Sequence, residues 1–278
     1  MPGCSHSTDI ALAQRDPKVI ASLMPKWEWA YDHYFHTRTD GWHHVPQQAL
    51  FVGSHNGGLA APDLLMLMVD WFRRFGYERP MYGLMHPKVW QVNAALGQLG
   101  ARCGAVPARP RFAIAALQRG ASVLVFPGGA QDVFRTYQQR HQIQLAGRTG
   151  FIKLALREQV PIVPVVSKGA HDTLIVLDDC YEQVKWLHQQ GLLPWFKGID
   201  PEVFPIYLGL PWGIGVGPLP HIPWPQQIYT RVCAPIVFER TGRAAAKDSR
   251  YVQQCYRQVV TQMQQNLDQL VFEAGKLP

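Results

Sequence analysis

The chain has 278 residues, of which 47% are hydrophobic and 17% charged. This composition excludes a disordered protein and supplies enough apolar side chains for a large core. Lysine and arginine number 27 against 20 acidic residues, and the net charge of +7 favours an anionic partner, either a membrane surface or a phosphorylated substrate. Since the basic residues are scattered, nucleic acid is not an expected partner.

The five cysteines are widely spaced and form no Cys-x-x-Cys pair. They stand at Cys4, Cys103, Cys180, Cys233 and Cys255. This pattern is typical of a reducing compartment and argues against a disulfide scaffold or a cysteine-rich zinc site. The N-terminus lacks the charged start and apolar run of a signal peptide, so the sequence predicts a cytoplasmic protein.

The first predicted element is a helix over residues 17–35, where apolar side chains recur at helical spacing and an internal proline predicts a kink. Two interpretations of this helix stay open. It packs on the core, or it lies in the headgroup zone of a membrane, which its aromatic side chains suit. These aromatic residues are Trp27, Trp29, Tyr31 and Tyr34.

From residue 49 onward, strand and helix patterns alternate. Strands are predicted at Ala49–Gly53, Ser122–Phe126, Pro161–Val166, Thr173–Leu177, Phe204–Leu208 and Ile228–Val232. Helices are predicted at Pro62–Phe75, Lys88–Leu99, Arg111–Arg119, Thr149–Glu158, Tyr181–Gln190 and Ala245–Phe272. The alternation predicts an α/β fold with a central, largely parallel sheet flanked by helices. Because no polar linker interrupts it, we expect a helical extension over residues 1–39 and one domain over residues 40–278.

The stretch Val203–Thr230 contains no Asp, Glu, Lys or Arg and is long enough to cross a bilayer. Its six prolines and four glycines would break a helix that has to satisfy its own backbone in lipid. The sequence therefore predicts one or two strands joined by an apolar loop. It predicts no spanning helix, although the protein can still lie on a membrane.

The densest group of candidate functional residues follows the first strand of the alternating region, in the block Gly53–Asp63. Ligands of α/β sheets bind at strand ends, and a histidine held there by a carboxylate is a competent general base. His55 and Asp63 are the candidates for these two roles. The alternatives are a buried, hydrogen-bonded histidine and an aspartate that merely begins a helix after Pro62.

Two further blocks are candidates for binding. Pro127-Gly128-Gly129 follows another strand, and its glycines allow backbone N–H groups to reach an oxyanion or a phosphate, although such a sequence also forms simple turns. Arg148 begins a predicted helix and is either a ligand-binding cation or a surface residue. The sequence contains no Gly-x-Ser-x-Gly, no Walker loop and no His-Glu-x-x-His, and His33 and His36 lack the partners of a metal site.

In order along the chain, these blocks resemble the glycerolipid and lysophospholipid acyltransferase superfamily. The resemblance rests on His55 with a downstream Asp, on Phe126-Pro127-Gly128-Gly129, and on the Val-Pro-Ile-Val-Pro strand at residues 160–164. The Pro-Gly-Gly-Ala form, the Arg-Thr-Gly-Phe start at Arg148 and the stretch Leu208–Pro225 are similar to the branch of type-2 diacylglycerol acyltransferases and plant phytyl ester synthases. The similarity covers about residues 40–240.

The resemblance implies a one-step acyl transfer from acyl-CoA or acyl-carrier protein, as co-substrate, to a lipid hydroxyl. His55 would be the base and Asp63 would orient it. Gly128 and Gly129 would stabilise the oxyanion, Arg148 would hold the phosphates of the donor or the acceptor's headgroup, and Arg109 would bind the acceptor. No cofactor or metal is implied.

The sequence departs from the family at its central block. The family usually has four residues between His and Asp, whereas seven separate His55 from Asp63, and Ser54 stands where Asn is commoner. Either the loop Gly57–Ala61 bulges and brings Asp63 to the ring, or another group orients the histidine.

Several functions remain open at this stage. The first is synthesis of a neutral lipid ester on a diacylglycerol, phytol or quinol acceptor, by an enzyme bound peripherally to an anionic cytoplasmic membrane through its aromatic helix and the loop of Trp212 and Trp224. The alternatives are acylation of a lysophospholipid or glycerol phosphate, a serine lipid hydrolase using Ser54 and His55, and a non-catalytic lipid-binding protein.

Overall fold

The computed structural model describes the backbone of residues 3–276 and the side chains of residues 7–276, so that the side chain of Cys4 and the outermost residues of both predicted regions lie outside it. Its strands are, in chain order, β1 (Arg38–Asp40), β2 (Leu50–Gly53), β3 (Met81–Met85), β4 (Ala105–Pro107), β5 (Ser122–Val125), β6 (Ile162–Lys168), β7 (Ile175–Asp179), β8 (Pro205–Gly209), β9 (Gly213–Val216) and β10 (Tyr229–Val232).

A seven-stranded sheet forms the centre of the fold, in the order β1-β10-β6-β2-β5-β3-β4. The five strands from β6 to β4 are parallel to one another, and β10 joins β6 in the antiparallel direction. The α/β prediction with a largely parallel sheet is thereby confirmed. A second, three-stranded antiparallel sheet has the order β7-β8-β9.

Helices cover both faces of the large sheet. They are α1 (Gly3–Ala13), α2 (Pro17–Trp29), α3 (Pro62–Phe75), α4 (Lys88–Val92), α5 (Ala94–Arg102), α6 (Pro110–Gln118), α7 (Gly129–Val133), α8 (Gly150–Glu158), α9 (Tyr181–Gln189), α10 (Gly242–Lys247) and α11 (Ser249–Ala274). Successive strand residues point to opposite faces, so Leu50 and Val52 pack under α6, α8 and α11, whereas Phe51 packs under α2 and α3. Two apolar cores therefore sandwich the sheet.

Two of the predicted helices are each divided by a capping residue. Asn93 accepts a hydrogen bond from the Leu96 N–H at 3.0 Å and begins α5, and Asp248 accepts one from the Tyr251 N–H at 3.1 Å and begins α11. Such caps satisfy the free N–H groups of a first helical turn. The helix predicted over Pro62–Phe75 is confirmed with the same bounds.

The N-terminal region is part of the same core. Strand β1 spans the boundary predicted between residues 39 and 40 and pairs with β10. In the helix predicted for residues 17–35, α2 continues into a π-helical turn at Ala30–Tyr34, and Tyr31 is buried whereas Trp29 is 58% exposed. Among residues 3–276, none of the helices is both long and apolar enough to cross a bilayer.

Candidate active site

The candidate site lies where the parallel strands end. Because β2 and β5 are adjacent and parallel, their carboxyl ends meet at one edge of the sheet, and the loop with His55 faces the turn Pro127–Gly129. The His55 ring stacks on Phe126 with ring centroids 4.4 Å apart. The topology thus brings together two blocks that are more than 70 residues apart in the sequence.

The structure places Asp63 beside His55 despite the seven intervening residues. The Nδ1 of His55 lies 3.1 Å from Oδ2 of Asp63. The extra residues form a 3-10 turn at Gly58–Ala60, preceded by Gly57 with φ +77° and followed by Ala61 with φ +45°. A Cβ on Gly57 would lie within 2.7 Å of the Ala170 carbonyl oxygen, so glycine is required there both for its φ and for space.

Two backbone N–H groups fix the carboxylate of Asp63 next to the His55 ring. Its Oδ2 accepts a hydrogen bond from the Asn56 N–H at 2.8 Å, and its Oδ1 accepts one from the Leu64 N–H, also at 2.8 Å, in the first turn of α3. The side chain is buried. A carboxylate fixed in this way can hold the imidazole in one orientation and one tautomer.

The electrostatics of the pair favour a poised base. The burial of His55 opposes its protonation, but the carboxylates of Asp63 and, more weakly, Asp132 outweigh that effect and raise the pKa of the ring above its usual value. Because an ionised carboxylate only accepts, Nδ1 of the neutral ring donates to Asp63 and Nε2 carries the free lone pair. The side chain is 20% exposed, so substrate can approach it.

A buried ion pair fixes the loop from the other side. Asp132, on α7, accepts hydrogen bonds from the His55 N–H and from the Arg135 guanidinium, the latter at 2.9 Å. Arg135 Nη1 also donates to the His55 carbonyl at 2.8 Å, and Nη2 donates to the Asn56 side chain. Burial raises the pKa of Asp132 and lowers that of Arg135, although each charge opposes the shift of the other. The pair therefore positions the backbone on both sides of the ring.

Ser54 is oriented away from the imidazole. Its side chain is buried, and its hydroxyl donates to Oδ1 of Asp132 at 3.2 Å. The His55 ring, in contrast, directs Nδ1 to Asp63. Since a serine nucleophile needs the histidine as its hydrogen-bond partner, this arrangement disfavours the hydrolase alternative.

The glycine turn is packed tightly against its surroundings. A Cβ on Gly128 would lie 2.2 Å from the Gln144 carbonyl oxygen, and one on Gly129, which has φ +58°, would lie 2.6 Å from Nη1 of Arg148. The Gly129 N–H donates to the Phe126 carbonyl at 3.3 Å. Within the turn, one of the two predicted oxyanion donors is therefore engaged in a long backbone hydrogen bond.

The predicted basic residues differ in their distance from His55. Arg148 is half exposed and donates to the Pro127 carbonyl at 3.0 Å, so it lies directly beside the turn. Its Nη2 is 3.9 Å from Glu202, which also pairs with Lys88 at 2.5 Å. Arg109 is exposed and follows β4, three strands from β2, or about 14 Å at the usual strand spacing.

Comparison with known proteins assigns the family. A model of the diacylglycerol acyltransferase family matches residues 110–271, more than half of the chain, and a general acyltransferase model matches residues 36–168. The chain belongs to the diacylglycerol acyltransferase family. It is an acyltransferase of the glycerolipid type. The first match contains the glycine turn and Arg148, and the second contains His55 and Asp63.

Individual relatives of this acyltransferase span different parts of it. An uncharacterized protein of Mycobacterium tuberculosis is 27% identical over 92% of this chain and 68% of its own length. Human 2-acylglycerol O-acyltransferase 3 is 31% identical over 38% of this chain and 28% of its own. A crystal structure of a 1-acyl-sn-glycerophosphate acyltransferase from Thermotoga maritima covers 96% of this chain and 84% of its own, with a TM-score of 0.48 and 13% identity.

Two residues of the acyltransferase site escape sequence reasoning. Arg135 and Asn56 are both buried, and together they hold the backbone around His55. Asp132 stands three residues after the predicted turn Pro127–Gly129, and an Arg three positions further on is the one available signal for the ion pair. Such a signal is weak because most pairs at this spacing lie on exposed surfaces.

Proposed function

We propose that this acyltransferase esterifies the hydroxyl of a neutral lipid (diacylglycerol, phytol or a quinol) with a long-chain acyl group from acyl-CoA or acyl-carrier protein. The single observation that supports it most is the His55–Asp63 pair, 3.1 Å apart at the open edge of the sheet. No metal or cofactor takes part in the proposed reaction.

The reaction begins with proton removal. Nε2 of His55 takes the proton of the lipid hydroxyl as the hydroxyl oxygen attacks the thioester carbonyl carbon. The C–O bond forms and the carbonyl oxygen becomes an oxyanion. When this intermediate collapses, the C–S bond breaks and the thiolate takes the proton back from the imidazolium. Asp63 stabilises that cation and keeps Nε2 directed at the acceptor.

The glycine turn and Arg148 are assigned to the donor side. In this proposal, the Gly128 N–H is the principal oxyanion donor, because the Gly129 N–H already bonds to Phe126. One such donor contributes about 3 kcal/mol to the transition state. Arg148 lies beside the same turn and holds a phosphate of the acyl donor. Arg109 is given an accessory role in acceptor binding, since three strands separate it from His55.

The charge balance beside the turn supports an acceptor without phosphate. Glu202 lies between Lys88 and Arg148 and neutralises part of their charge. A phosphorylated acceptor would have to compete with this carboxylate for Lys88 and with the phosphate of the acyl donor for Arg148. Acylation of a lysophospholipid or glycerol phosphate is therefore the second candidate. The enzyme would act as a peripheral protein on the cytoplasmic side of a membrane, where its lipid substrates lie.

A product survey tests this proposal. Purified enzyme is incubated with a labelled long-chain acyl-CoA or acyl-carrier protein and, in turn, with diacylglycerol, phytol, a quinol or lysophosphatidate, and products are identified by mass spectrometry. We expect a neutral ester that disappears with His55→Ala, because general-base catalysis contributes about 10²–10⁴-fold. Ester formation at the wild-type rate by His55→Ala would reject His55 as the base.

Ser54→Ala separates transfer from hydrolysis. Since the Ser54 hydroxyl bonds to Asp132 rather than to His55, the variant should retain ester synthesis. If Ser54→Ala abolished turnover while the variant still bound substrate as the wild type does, the serine would be the nucleophile. A protein that binds lipids without turnover for any acceptor would support the lipid-binding alternative.

A further inference from the structure

The outer side of the three-stranded sheet carries an unusual set of exposed apolar residues. Six of them, on β8, β9 and the loops that follow, are between 36% and 68% exposed. They are Leu208, Trp212, Ile214, Val216, Leu219 and Ile222, and we call them the apolar face. A sheet side that faces water normally carries polar residues, so this side requires an explanation.

The register of the sheet shows that the apolar face is one continuous side. Leu208 pairs with Ile214 across the two strands, so both side chains point the same way. The opposite side is covered, because Tyr207 is buried and a Cβ on its partner Gly215 would lie 2.3 Å from the tyrosine ring. That inner side packs on Phe134, just after α7. The sheet therefore has one core side and one bare side.

The apolar face also lacks charge. Residues Val203–Thr230, which supply all six members, include no Asp, Glu, Lys or Arg. Burial lowers the pKa of His221, so this residue adds no charge at neutral pH. The net charge of +7 is consequently carried by other parts of the molecule.

The apolar face borders the candidate active site. Ile222 bonds to the Leu210 carbonyl through its N–H at 2.8 Å, and the ring of the preceding His221 lies 3.2 Å from the Gly57 carbonyl oxygen, two residues beyond His55. On the other flank, the Tyr34 hydroxyl donates to the Pro223 carbonyl at 2.7 Å. The loop that carries part of the apolar face thus contacts the turn at Gly57, beside the candidate site, and the N-terminal helical region.

We infer that the apolar face docks on a lipid bilayer, with its side chains among the headgroups and upper acyl chains and the mouth of the site turned toward the lipid. The inference rests on the proposed function, since it concerns how a lipid acceptor reaches His55. A second copy of the chain or another protein seated on this face would cover the turn at Gly57 and close that route. A bilayer instead delivers the acceptor through it.

Because the apolar face has no cation, docking is driven by apolar burial and does not require anionic lipid. This differs from the expectation, drawn from the net charge, the aromatic helix and the loop of Trp212 and Trp224, that the membrane partner is anionic. In this inference, Trp212 and Ile214 contribute more to membrane binding than Trp224, because Trp224 is half-buried.

Vesicle co-sedimentation tests the inference without any turnover. The full chain is mixed with extruded phosphatidylcholine vesicles, and bound protein is measured against lipid concentration for the wild type, Ile214→Asp and Val237→Asp. Val237 is the matched control, since it is 75% exposed and follows Ile236, which pairs with Ile162 at the opposite edge of the parallel strands. We expect binding to fall about tenfold or more for Ile214→Asp and to stay unchanged for Val237→Asp.

Four outcomes would overturn the inference. Three are wild-type binding by Ile214→Asp, equal weakening by Val237→Asp, and binding of the wild type only to vesicles that contain phosphatidylglycerol. The fourth is conversion of a dimer to a monomer by Ile214→Asp in sedimentation velocity, which would assign the face to a second copy. Trp212→Ala, which removes an exposed side chain and adds no charge, repeats the test if Ile214→Asp does not fold.

Activity measurements separate this inference from the proposed function. His55→Ala should bind vesicles as the wild type does but should form no ester. Ile214→Asp should lose activity on acceptor in vesicles and keep it on a short-chain acceptor dissolved in detergent micelles. Vesicle binding with no ester from any acceptor would reject the proposed function alone.

Discussion

Two neighbouring strands of the sheet each lead to a histidine, and the two rings lie in opposite electrostatic environments. His55, after β2, is partly open, and the carboxylate of Asp63 raises its pKa against the effect of burial. His171, after β6, is sealed in, and burial lowers its pKa to about 3. The comparison shows that a position at a strand end does not make a histidine a candidate base. A fixed carboxylate and an approach for substrate do.

One arginine connects the two loops. The Arg135 guanidinium donates to the His55 carbonyl at 2.8 Å, and the Arg135 carbonyl accepts from Nε2 of His171, also at 2.8 Å. His171 is therefore a structural donor whose ring must remain neutral, whereas His55 must change its protonation state to serve as a base. The same buried network supports both requirements.

The largest expected effect comes from removing the carboxylate that distinguishes His55. In Asp63→Asn, the amide no longer holds Nδ1 as a donor, and we expect kcat/KM to fall about a thousandfold. The base acts in its neutral form, so activity of the wild type rises with pH through a pKa above 6.5. Without Asp63 this rise in activity should move to lower pH, because the burial that lowers the pKa of His55 remains. Rates measured from pH 5 to 9 check both effects.

Asp70→Asn is the matched control for this variant. Asp70 is a buried carboxylate on the same helix, and its partners are Thr39 and Arg74 rather than a histidine. Asp70→Asn should leave the pH at which activity rises unchanged from that of the wild type. A rise in activity that moves equally in both variants, or in neither, would show that Asp63 does not tune His55.

The sequence predicts the elements that carry His55 and Asp63, but not the contact between the two side chains. Helical periodicity gives α3, and a strand end with a following Gly-Gly gives the loop of His55, because both are local patterns. The contact with Asp63 is not local, since it depends on two left-handed residues, Gly57 and Ala61, that shorten the path between the side chains. Sequence spacing alone therefore leaves the pairing undecided.

Short elements and buried polar groups account for most of what sequence reasoning misses. Strand β3 has Gly83 at its centre and is mostly half-buried, and β4 has only three residues, so neither shows the continuous apolar run of β2 and β5. In the sequence, Arg135 has the features of a surface residue. It becomes buried because the loops after β2 and β5 meet around its guanidinium. Only tertiary packing shows that its guanidinium is buried.

A smaller effect is expected on stability when the link between the two loops is removed. Arg135→Met leaves Asp132 buried and unpaired, and we expect the free energy of unfolding to fall by about 3 kcal/mol in urea denaturation. The double variant Arg135→Met/Asp132→Leu should regain much of that loss, because no unpaired charge remains. A double variant as unstable as the single one would mean that the lost hydrogen bonds to the loop, rather than the charge, hold it in place.

The smallest effect concerns the sealed histidine and follows from its protonation alone. As pH falls below the usual value of 6.5, His171 takes up a proton in the unfolded chain but stays neutral in the folded one down to about 3. Its contribution to stability is thus present above pH 6.5 and is lost at about 1.4 kcal/mol per pH unit below it. His171→Gln keeps a donor for the Arg135 carbonyl and does not titrate, so its unfolding free energy should depend less steeply on pH between 6.5 and 5.

His55→Gln should change the pH dependence in the opposite sense. The folded pKa of His55 is raised, so its contribution is present below pH 6.5 and is lost as pH rises through the folded value. Asp132, whose pKa burial raises to about 6, titrates in every protein of the set, and its effect cancels when His171→Gln is compared with the wild type. In His55→Gln, the coupling between Asp132 and His55 is removed together with the ring. Changes of the same sign in His171→Gln and His55→Gln would place the two histidines in equivalent environments and remove the basis for assigning the base to His55.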